Sequence, residues 1–373
     1  MGWFIMIIKV LYDFNYLDEH DIKFKNTIEM INMISSIYQT IILVLDDKQK
    51  YFASQIFNSN LKTIIVKKDY DISEIIRNMC KECDWLLCLK NDISKVECNG
   101  NVIYSPIDLK GDTSFFIDKS YTEHAKNKKY YHDFSNYYMY TLANDTEKEA
   151  DFLKMIFKKY LNKDKGNVLD CCCGVGRHSY LMAKDGFNVT GIDFSCDQIS
   201  NAKKIHNHKN IIYKEMDVRN INLDERNFDM SYCMWTTYNY LSLDSDLKKF
   251  IISNYQHLKN GGLLVLDSKN IPRLDPHRLY NRYTEKDKFK MEILINKYVF
   301  DNNQNSQYFL FIDDDGDKKF FFDDEFVRFY TLTELKRLMS GYFEFVDVYG
   351  DFDMNPYDKK NSNRFITVFR KIS

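Results

Sequence analysis

Between Val168 and Ser195 the chain reads VLDCCCGVGRHSYLMAKDGFNVTGIDFS: an apolar run, three adjacent cysteines, two glycines, then a helical pattern. Such residues serve a thiolate metal site, a redox pair, or a backbone loop laid against a cofactor. Neighbouring residues of an extended chain point to opposite sides, so Cys171, Cys172 and Cys173 cannot all face one metal. Small buried thiols account for them better. A chain that leaves a parallel strand and enters a helix must turn tightly, and Gly174 and Gly176 supply the freedom for that turn and for the close approach of a ligand. A dinucleotide fingerprint asks for a third glycine where Ser179 stands. Asp193 ends the next apolar run 17 residues after Gly176 (193 − 176), where a carboxylate can take two hydrogen bonds from ribose hydroxyls. Asp217, in EMDVRN, ends the run after that. It is placed to accept from an adenine amino group while Val218 offers a backbone N–H and an apolar edge.

Two alternations of strand and helix must position these residues. From Phe4 to about Pro106, FIMIIKVLYDF, TIILVLDD, LKTIIVKK and DWLLCLK read as strands, with TIEMINMISSIY, KYFASQIFN and ISEIIRNMCKE as helices between them. That is an α/β layer with a mainly parallel sheet. The polar stretch from Asp108 to Lys129 reads as a linker. NDTEKEADFLKMIFKKYL predicts a helix capped by Asn144 or Asp145. Strands NVLD, NVTGID, IIYKEMD, FDMSYCM and LLVLDS follow, interleaved with helices RHSYLMAKDG, CDQISNAKKIHN and LKKFIISNYQHLKN. Next come antiparallel strands in KMEILINKYVF, QYFLFIDDDGDKKFFF, with Asp315-Gly316 as its turn, and FVRFYT. Thr331-x-x-Glu334 is a capping box opening LTELKRLMSG, which Gly341 can end, and EFVDVYGD and RFITVFRK close the chain. The expected division is an N-terminal α/β domain over 1–110, a linker over 111–129 and a second domain over 130–373.

The 373 residues suit about two domains. Lys+Arg 52 against Asp+Glu 54 leaves a formal charge of −2 with both signs scattered, so no global field favours nucleic acid or an anionic membrane. Nine irregularly spaced cysteines and the lack of a signal peptide read as reduced thiols in the cytoplasm. The apolar opening MGWFIMIIKV is broken at Lys9 and far below the roughly 20 residues of a spanning helix, so it reads as a buried strand. Cys80-x-x-Cys83 with Cys88 and Cys98 has partial metal spacing, but Cys88 lies inside an expected strand. DDDGD lacks the terminal glutamate of a calcium loop and reads as a solvated hairpin tip. No metal is expected.

From about Tyr137 to Ser373 six motifs occur in order: LDCCCGVGRHS, GFNVTGIDFS, EMDVRNI, FDMSYCMWTTYNYL, LKNGG and VYGDFDMNPYDKKNSNRFITVFRK. In this set the chain resembles bacterial class I S-adenosylmethionine-dependent methyltransferases, a far more specific likeness than one glycine loop. The resemblance implies a Rossmann-like, mostly parallel seven-stranded sheet with antiparallel C-terminal hairpins. One strand near its end, RFITVFRK, would run antiparallel, and S-adenosylmethionine would be the cofactor. Carried over by residue, Asp170, Cys172, Gly174 and Gly176 form the loop beside the methionine moiety, Asp193 clamps the ribose, Asp217 and Val218 meet the adenine, and Phe194 packs on it. One aromatic among Tyr137, Tyr138 and Tyr140, with Tyr138 preferred, lies over the cofactor. Cys172 departs from the family, many members having glycine there. A left-handed non-glycine residue costs roughly 1–2 kcal/mol, so Cys172 is expected outside that region.

Methyl transfer from a sulfonium is an in-line displacement, driven largely by positioning. An amine must arrive neutral, whereas a hydroxyl needs a proton acceptor. WTTYNYL follows the fourth strand of the second alternation, where open α/β sheets carry their sites, so Trp235, Thr237, Tyr238, Asn239 and Tyr240 could shape the acceptor pocket or pack beneath the C-terminal strands. Tyr238 and His178 are the candidate catalytic groups. A helix N-terminus beside His178 would favour its neutral form, with capping or packing as the bland alternative. Arg328 and Arg364 match family arginines, and either bind an anionic group of the substrate or pair with Asp351 or Asp353. MNPY sits too late in the chain for a nucleic-acid amino methyltransferase motif, and no basic stripe accompanies it. The expectation is a cytoplasmic enzyme methylating nitrogen or oxygen of a small molecule, as amino-sugar N-methyltransferases that resemble it do. No nucleic-acid or membrane partner is expected, and the N-terminal domain would select substrate or form a homodimer face. The rival readings are a non-catalytic S-adenosylmethionine-binding module and, third, a nicotinamide oxidoreductase.

Overall fold

The computed structural model describes backbone strands at 8–13, 39–44, 61–65, 85–89 and 102–105, residues 135 and 137, and residues 145–373 except 225, 226, 275, 276 and 301. The helices and linker expected before residue 130, Tyr138, and Cys80, Cys83 and Cys98 lie outside the described residues. The chain divides into two units. One comprises 1–118 with 279–296 and 308–321; the other comprises 119–278, 297–307 and 322–373.

In the first unit β1 (Ile8–Asp13), β2 (Gln39–Val44), β3 (Leu61–Ile65), β4 (Trp85–Leu89) and β5 (Val102–Ser105) form a sheet in the order β3-β2-β1-β4-β5. Every pairing is parallel. Four of these strands coincide with the apolar runs predicted above, and Cys88 lies within β4.

The second unit opens with α1 (Thr146–Leu161), capped by Asp145, whose carboxylate accepts from the Lys148 N–H at 3.1 Å. Its strands are β6 (Asn167–Cys171), β7 (Asn188–Asp193), β8 (Ile211–Glu215), β9 (Phe228–Cys233), β10 (Leu258–Lys269), β15 (Phe343–Tyr349) and β16 (Arg364–Lys371). They lie in the order β15-β16-β10-β9-β6-β7-β8. β16 runs antiparallel to both of its neighbours, as RFITVFRK was expected to do. Helices α2 (Arg177–Lys184), α3 (Cys196–Ile205), α4 (Asp244–His257) and α5 (Leu332–Met339) complete the unit.

Period-two alternation sends the strand side chains into two layers. Val168, Met230, Leu263 and Val265 pack with Phe152, Ile156 and Phe157 of α1 and Met182 of α2. Leu169, Cys171, Cys233, Leu264 and Leu266 pack with Leu247, Phe250 and Ile251 of α4 and Leu335 and Met339 of α5. The helix expected over LKKFIISNYQHLKN begins earlier, at Asp244, and gives way to strand at Leu258, which pairs with Phe228. Gly261, at φ 75°, absorbs the register shift that follows.

Strands β11 (His277–Lys286), β12 (Phe289–Phe300), β13 (Asn303–Asp314) and β14 (Asp317–Arg328) form a sheet in chain order. Two-residue connections permit only antiparallel pairing. Asp315 (φ 52°) and Gly316 (φ 90°) make the last turn, and Gly316 N–H donates to the Asp313 carboxylate at 2.8 Å. The Thr331/Glu334 capping box is formed. Strands β5 and β11 had no separate forecast, and FVRFYT contributes only its first residues, as the end of β14.

Candidate functional site

β6 carries Asp170 to the carboxyl end of the sheet, where it is 2% exposed and accepts from Ser179 Oγ at 2.6 Å. Burial pushes its carboxyl group up to about 6, opposed by His178 and by the Ser179 hydrogen bond. The loop beyond has three left-handed residues: Cys172 at φ 60°, Gly174 at 54° and Gly176 at 80°. Cys172 therefore corrects the expectation made for it. Cys171 is still in the ladder, yet Cys173 N–H already donates to Ile192 O of β7 at 2.9 Å, so the reversal falls on Cys172. That bond and the packing of Cys172 against the core layer offset a strain of about 1–2 kcal/mol.

The two loop glycines serve different ends. A Cβ on Gly176 would fall 2.2 Å from Tyr213 Oη, so its smallness admits a protein side chain. A Cβ on Gly174 would meet only Gln198 Oε1, at 3.8 Å, an ordinary contact that clashes with nothing. Asp193 secures the loop: its Oδ2 accepts Gly174 N–H at 2.9 Å and its Oδ1 accepts Ser195 N–H at 3.0 Å. Phe194 beside it is half-buried, whereas Val218 is buried in the core layer. Asp217 is gripped by Arg219, whose Nε and Nη2 approach its oxygens at 2.6–3.1 Å and whose Nη1 reaches Asp246 at 3.0 Å.

After β9 the chain makes two further left-handed residues, Trp235 (φ 62°) and Thr236 (φ 66°), before a short 3-10 helix, Thr237–Tyr240. Asp267, at the end of β10, holds them there. Its Oδ2 accepts Trp235 N–H at 2.8 Å, and its backbone oxygen accepts Thr236 N–H at 2.9 Å. Asp267 also binds Arg364 at 2.5 and 2.8 Å, and the Arg364 guanidinium lies 5.1 Å from the Trp235 ring centre. On the indole nitrogen, Trp235 Nε1 donates to Glu149 Oε2 of α1 at 2.8 Å. Thr237 Oγ1 donates to Met234 O at 2.8 Å. Tyr238 is 1% exposed and stacks on Tyr330 at 6.4 Å, and Asn239 Nδ2 donates to Arg328 O at 2.7 Å. Tyr240 packs on Val327 and Phe329, under the end of the C-terminal strands.

Known proteins resemble parts of this chain in sequence and in fold. Residues 168–262 match the family model described as a methyltransferase domain. A Bacillus subtilis protein named as a methyltransferase, YqeM, is 34% identical over 105 residues, 28% of this chain and 42% of its own. The chain spans under half the length of the first curated relatives it matches, 42% and 45%. A glycine/sarcosine N-methyltransferase of Aphanothece halophytica is 25% identical over 235 residues, 60% of this chain and 82% of that protein. In fold, a sugar N-methyltransferase from Streptoalloteichus superposes with TM-score 0.56 at 14% identity, over 64% of this chain and 92% of that one. Residues 168–262 thus match a methyltransferase-domain model, and the second unit shares the fold of solved methyltransferases.

Within this unit the structure redistributes several forecast roles. His178 sits in the first turn of α2 with its Nε2 2.7 Å from Glu149 Oε2, both groups buried, so the histidine answers a carboxylate as well as a helix end. Arg328 is committed to Asp244, Glu334 and the Ser242 carbonyl at 2.8–3.0 Å, and Arg364 to Asp267. Neither arginine takes Asp351 or Asp353, because those loop carboxylates turn to Asn355 and Lys148 instead. Sequence reasoning passed over Glu149, Gln198, Arg219, Asp267 and Lys269. Arg219 and Gln198 had a signal in their spacing from Asp217 and Asp193, and Asp267 and Lys269 in their place at a strand's carboxyl end. Glu149 had none, since its partners are 29 and 86 residues away.

Lys269 ends β10 and its N–H donates to Thr236 Oγ1 at 3.2 Å. Burial first, and the positive charge of Lys297 next, push its ammonium down to about 7.

Proposed function

We propose that the chain transfers a methyl group from S-adenosylmethionine to an amine nitrogen of a small molecule. The observation that carries the proposal is the cradle at the carboxyl ends of β6 to β8: Gly174 with no clash on its Cβ side, its N–H fixed by Asp193, and Asp217 one strand further on.

In this reading Gly174 and the backbone around it seat the methionine end, Asp193 accepts from the ribose hydroxyls, and Asp217 and Val218 border the adenine. The bound cofactor supplies a methyl group on a sulfonium. The chain's task is to hold an acceptor in line with it, and such positioning can contribute about 7–11 kcal/mol. The twin left-handed residues Trp235 and Thr236, anchored by Glu149 and Asp267, form the rigid wall against which an acceptor is held. An amine that arrives protonated must lose its proton before it attacks. Lys269, uncharged over much of the range above about pH 7, can take it.

Nitrogen is preferred to oxygen on the named activity of the Aphanothece relative, which this chain covers over most of its length. A cytosolic location agrees with the free thiols of Cys171, Cys172, Cys173, Cys196 and Cys233. Among the described residues no helix is long and apolar enough to cross a membrane. Calorimetric titration with S-adenosylmethionine, S-adenosylhomocysteine and NAD tests the cofactor. Binding of the first two alone is expected; preference for NAD, or binding of none, contradicts the proposal.

A further inference from the structure

Gln198 stands in the first turn of α3, its backbone N–H tied to Ser195 Oγ of the cap at 3.2 Å. Its side chain is 1% exposed, and neither the nitrogen nor the oxygen of its carboxamide has a hydrogen-bond partner among the described residues. An unmade hydrogen bond on a buried group forfeits the hydration that group enjoyed in the unfolded chain. A leucine or methionine would fill the same volume without that penalty. The carboxamide also lies beside the cofactor loop, its Oε1 3.8 Å from where a Cβ of Gly174 would stand. The Gly174 N–H is in turn held by Asp193. Gly174, Asp193 and Gln198 therefore converge on one spot, and of the three only Gln198 has a side-chain donor.

We infer that Gln198 is a ligand of the cofactor's ribose, acting beside Asp193. A ribose hydroxyl both donates and accepts. A carboxylate can only accept, and each oxygen of Asp193 already receives one backbone N–H. The Gln198 Nε2 supplies the donor that the hydroxyl oxygens need, and its Oε1 a further acceptor. The inference rests on the S-adenosylmethionine reading of this same site.

The test uses the full chain, S-adenosylhomocysteine as the probe, calorimetry for affinity and thermal unfolding without ligand for stability. Gln198→Leu is expected to raise the unfolding temperature of the ligand-free protein and to weaken S-adenosylhomocysteine binding about tenfold or more. Gln198→Glu, which keeps an acceptor and loses the donor, is also expected to bind more weakly than the wild type. A folded Leu variant with wild-type affinity overturns the inference while leaving the cofactor reading intact. A Leu variant with lowered ligand-free stability shows that the carboxamide serves the fold, and overturns it too; if that variant does not fold, Gln198→Met repeats the comparison, and failure of both has the same meaning. Wild-type protein that does not bind S-adenosylhomocysteine overturns the cofactor reading and this inference together.

Discussion

His178 Nε2 lies 2.7 Å from Glu149 Oε2, although 29 residues separate them, and both side chains are buried. The same oxygen accepts from Trp235 Nε1. One carboxylate of α1 thus joins the helix that follows the glycine loop to the strained segment after β9, so the two halves of the site share a support.

Removing that support should cost stability first. Glu149→Ala strands a buried ring nitrogen of His178 and a half-buried one of Trp235, and a loss of about 2–4 kcal/mol is expected from the penalty for unmade hydrogen bonds. Urea unfolding reads it. His178→Ala should lower S-adenosylhomocysteine affinity and turnover together, because its nitrogen is engaged with Glu149. Turnover lost at unchanged affinity would instead identify His178 as a base.

Asp193→Ala removes a carboxylate that accepts two backbone N–H groups of the loop and, in the proposed complex, the ribose hydroxyls. Cofactor affinity should fall by about 2–4 kcal/mol, the magnitude of two charge-assisted hydrogen bonds. Calorimetric titration of the folded variant decides, and an unchanged affinity refutes the ribose assignment.

The Asp170 carboxyl group moves from 3.8 to about 6 on folding, with burial as the main cause. Between those values the folded chain binds more protons than the unfolded one, so stability is lost as pH rises through about 6 and retained below about 4. Asp170→Asn keeps an acceptor for Ser179 and carries no charge. Above pH 7 it should be more stable than the wild type by about 3 kcal/mol, roughly two pKa steps at 1.36 kcal/mol each, and near pH 4 the advantage should vanish. Equal differences at pH 4 and pH 8, measured by denaturant unfolding, would contradict this account of Asp170.

The two loop glycines should separate folding from binding. Gly176→Ala drives a methyl into Tyr213 at a left-handed position and should destabilise the fold strongly. Gly174→Ala meets only Gln198 Oε1, at an ordinary contact distance of 3.8 Å, and should cost only the roughly 1–2 kcal/mol of left-handed strain. It should nevertheless bind S-adenosylhomocysteine much more weakly, because its methyl fills the approach to the loop. Parallel thermal unfolding and titration of the two variants would show the contrast.

Local signals made much of the fold legible: short apolar runs located β6 to β10, Asp145 and the Thr331/Glu334 pair marked helix starts, and Asp315-Gly316 marked a turn. What the residues near the site do was less legible, because partners distant in sequence decide it. Arg328 looks available to a substrate until Asp244 and Glu334 close on it from α4 and α5. Cys172 looks too costly for a left-handed turn until the Cys173–Ile192 bond requires one. β5 escaped separate notice as a run of only four residues, and β11, HRLYNRYTEK, is polar along much of its length.

The central claim is methyl transfer to an amine. Its most direct measurement is incubation with methyl-labelled S-adenosylmethionine and a panel of small amines and alcohols that includes glycine, sarcosine and amino sugars. Label should appear on nitrogen, with S-adenosylhomocysteine formed in equal amount. Label on oxygen alone, or a protein that binds S-adenosylmethionine yet labels nothing in the panel, would contradict the account.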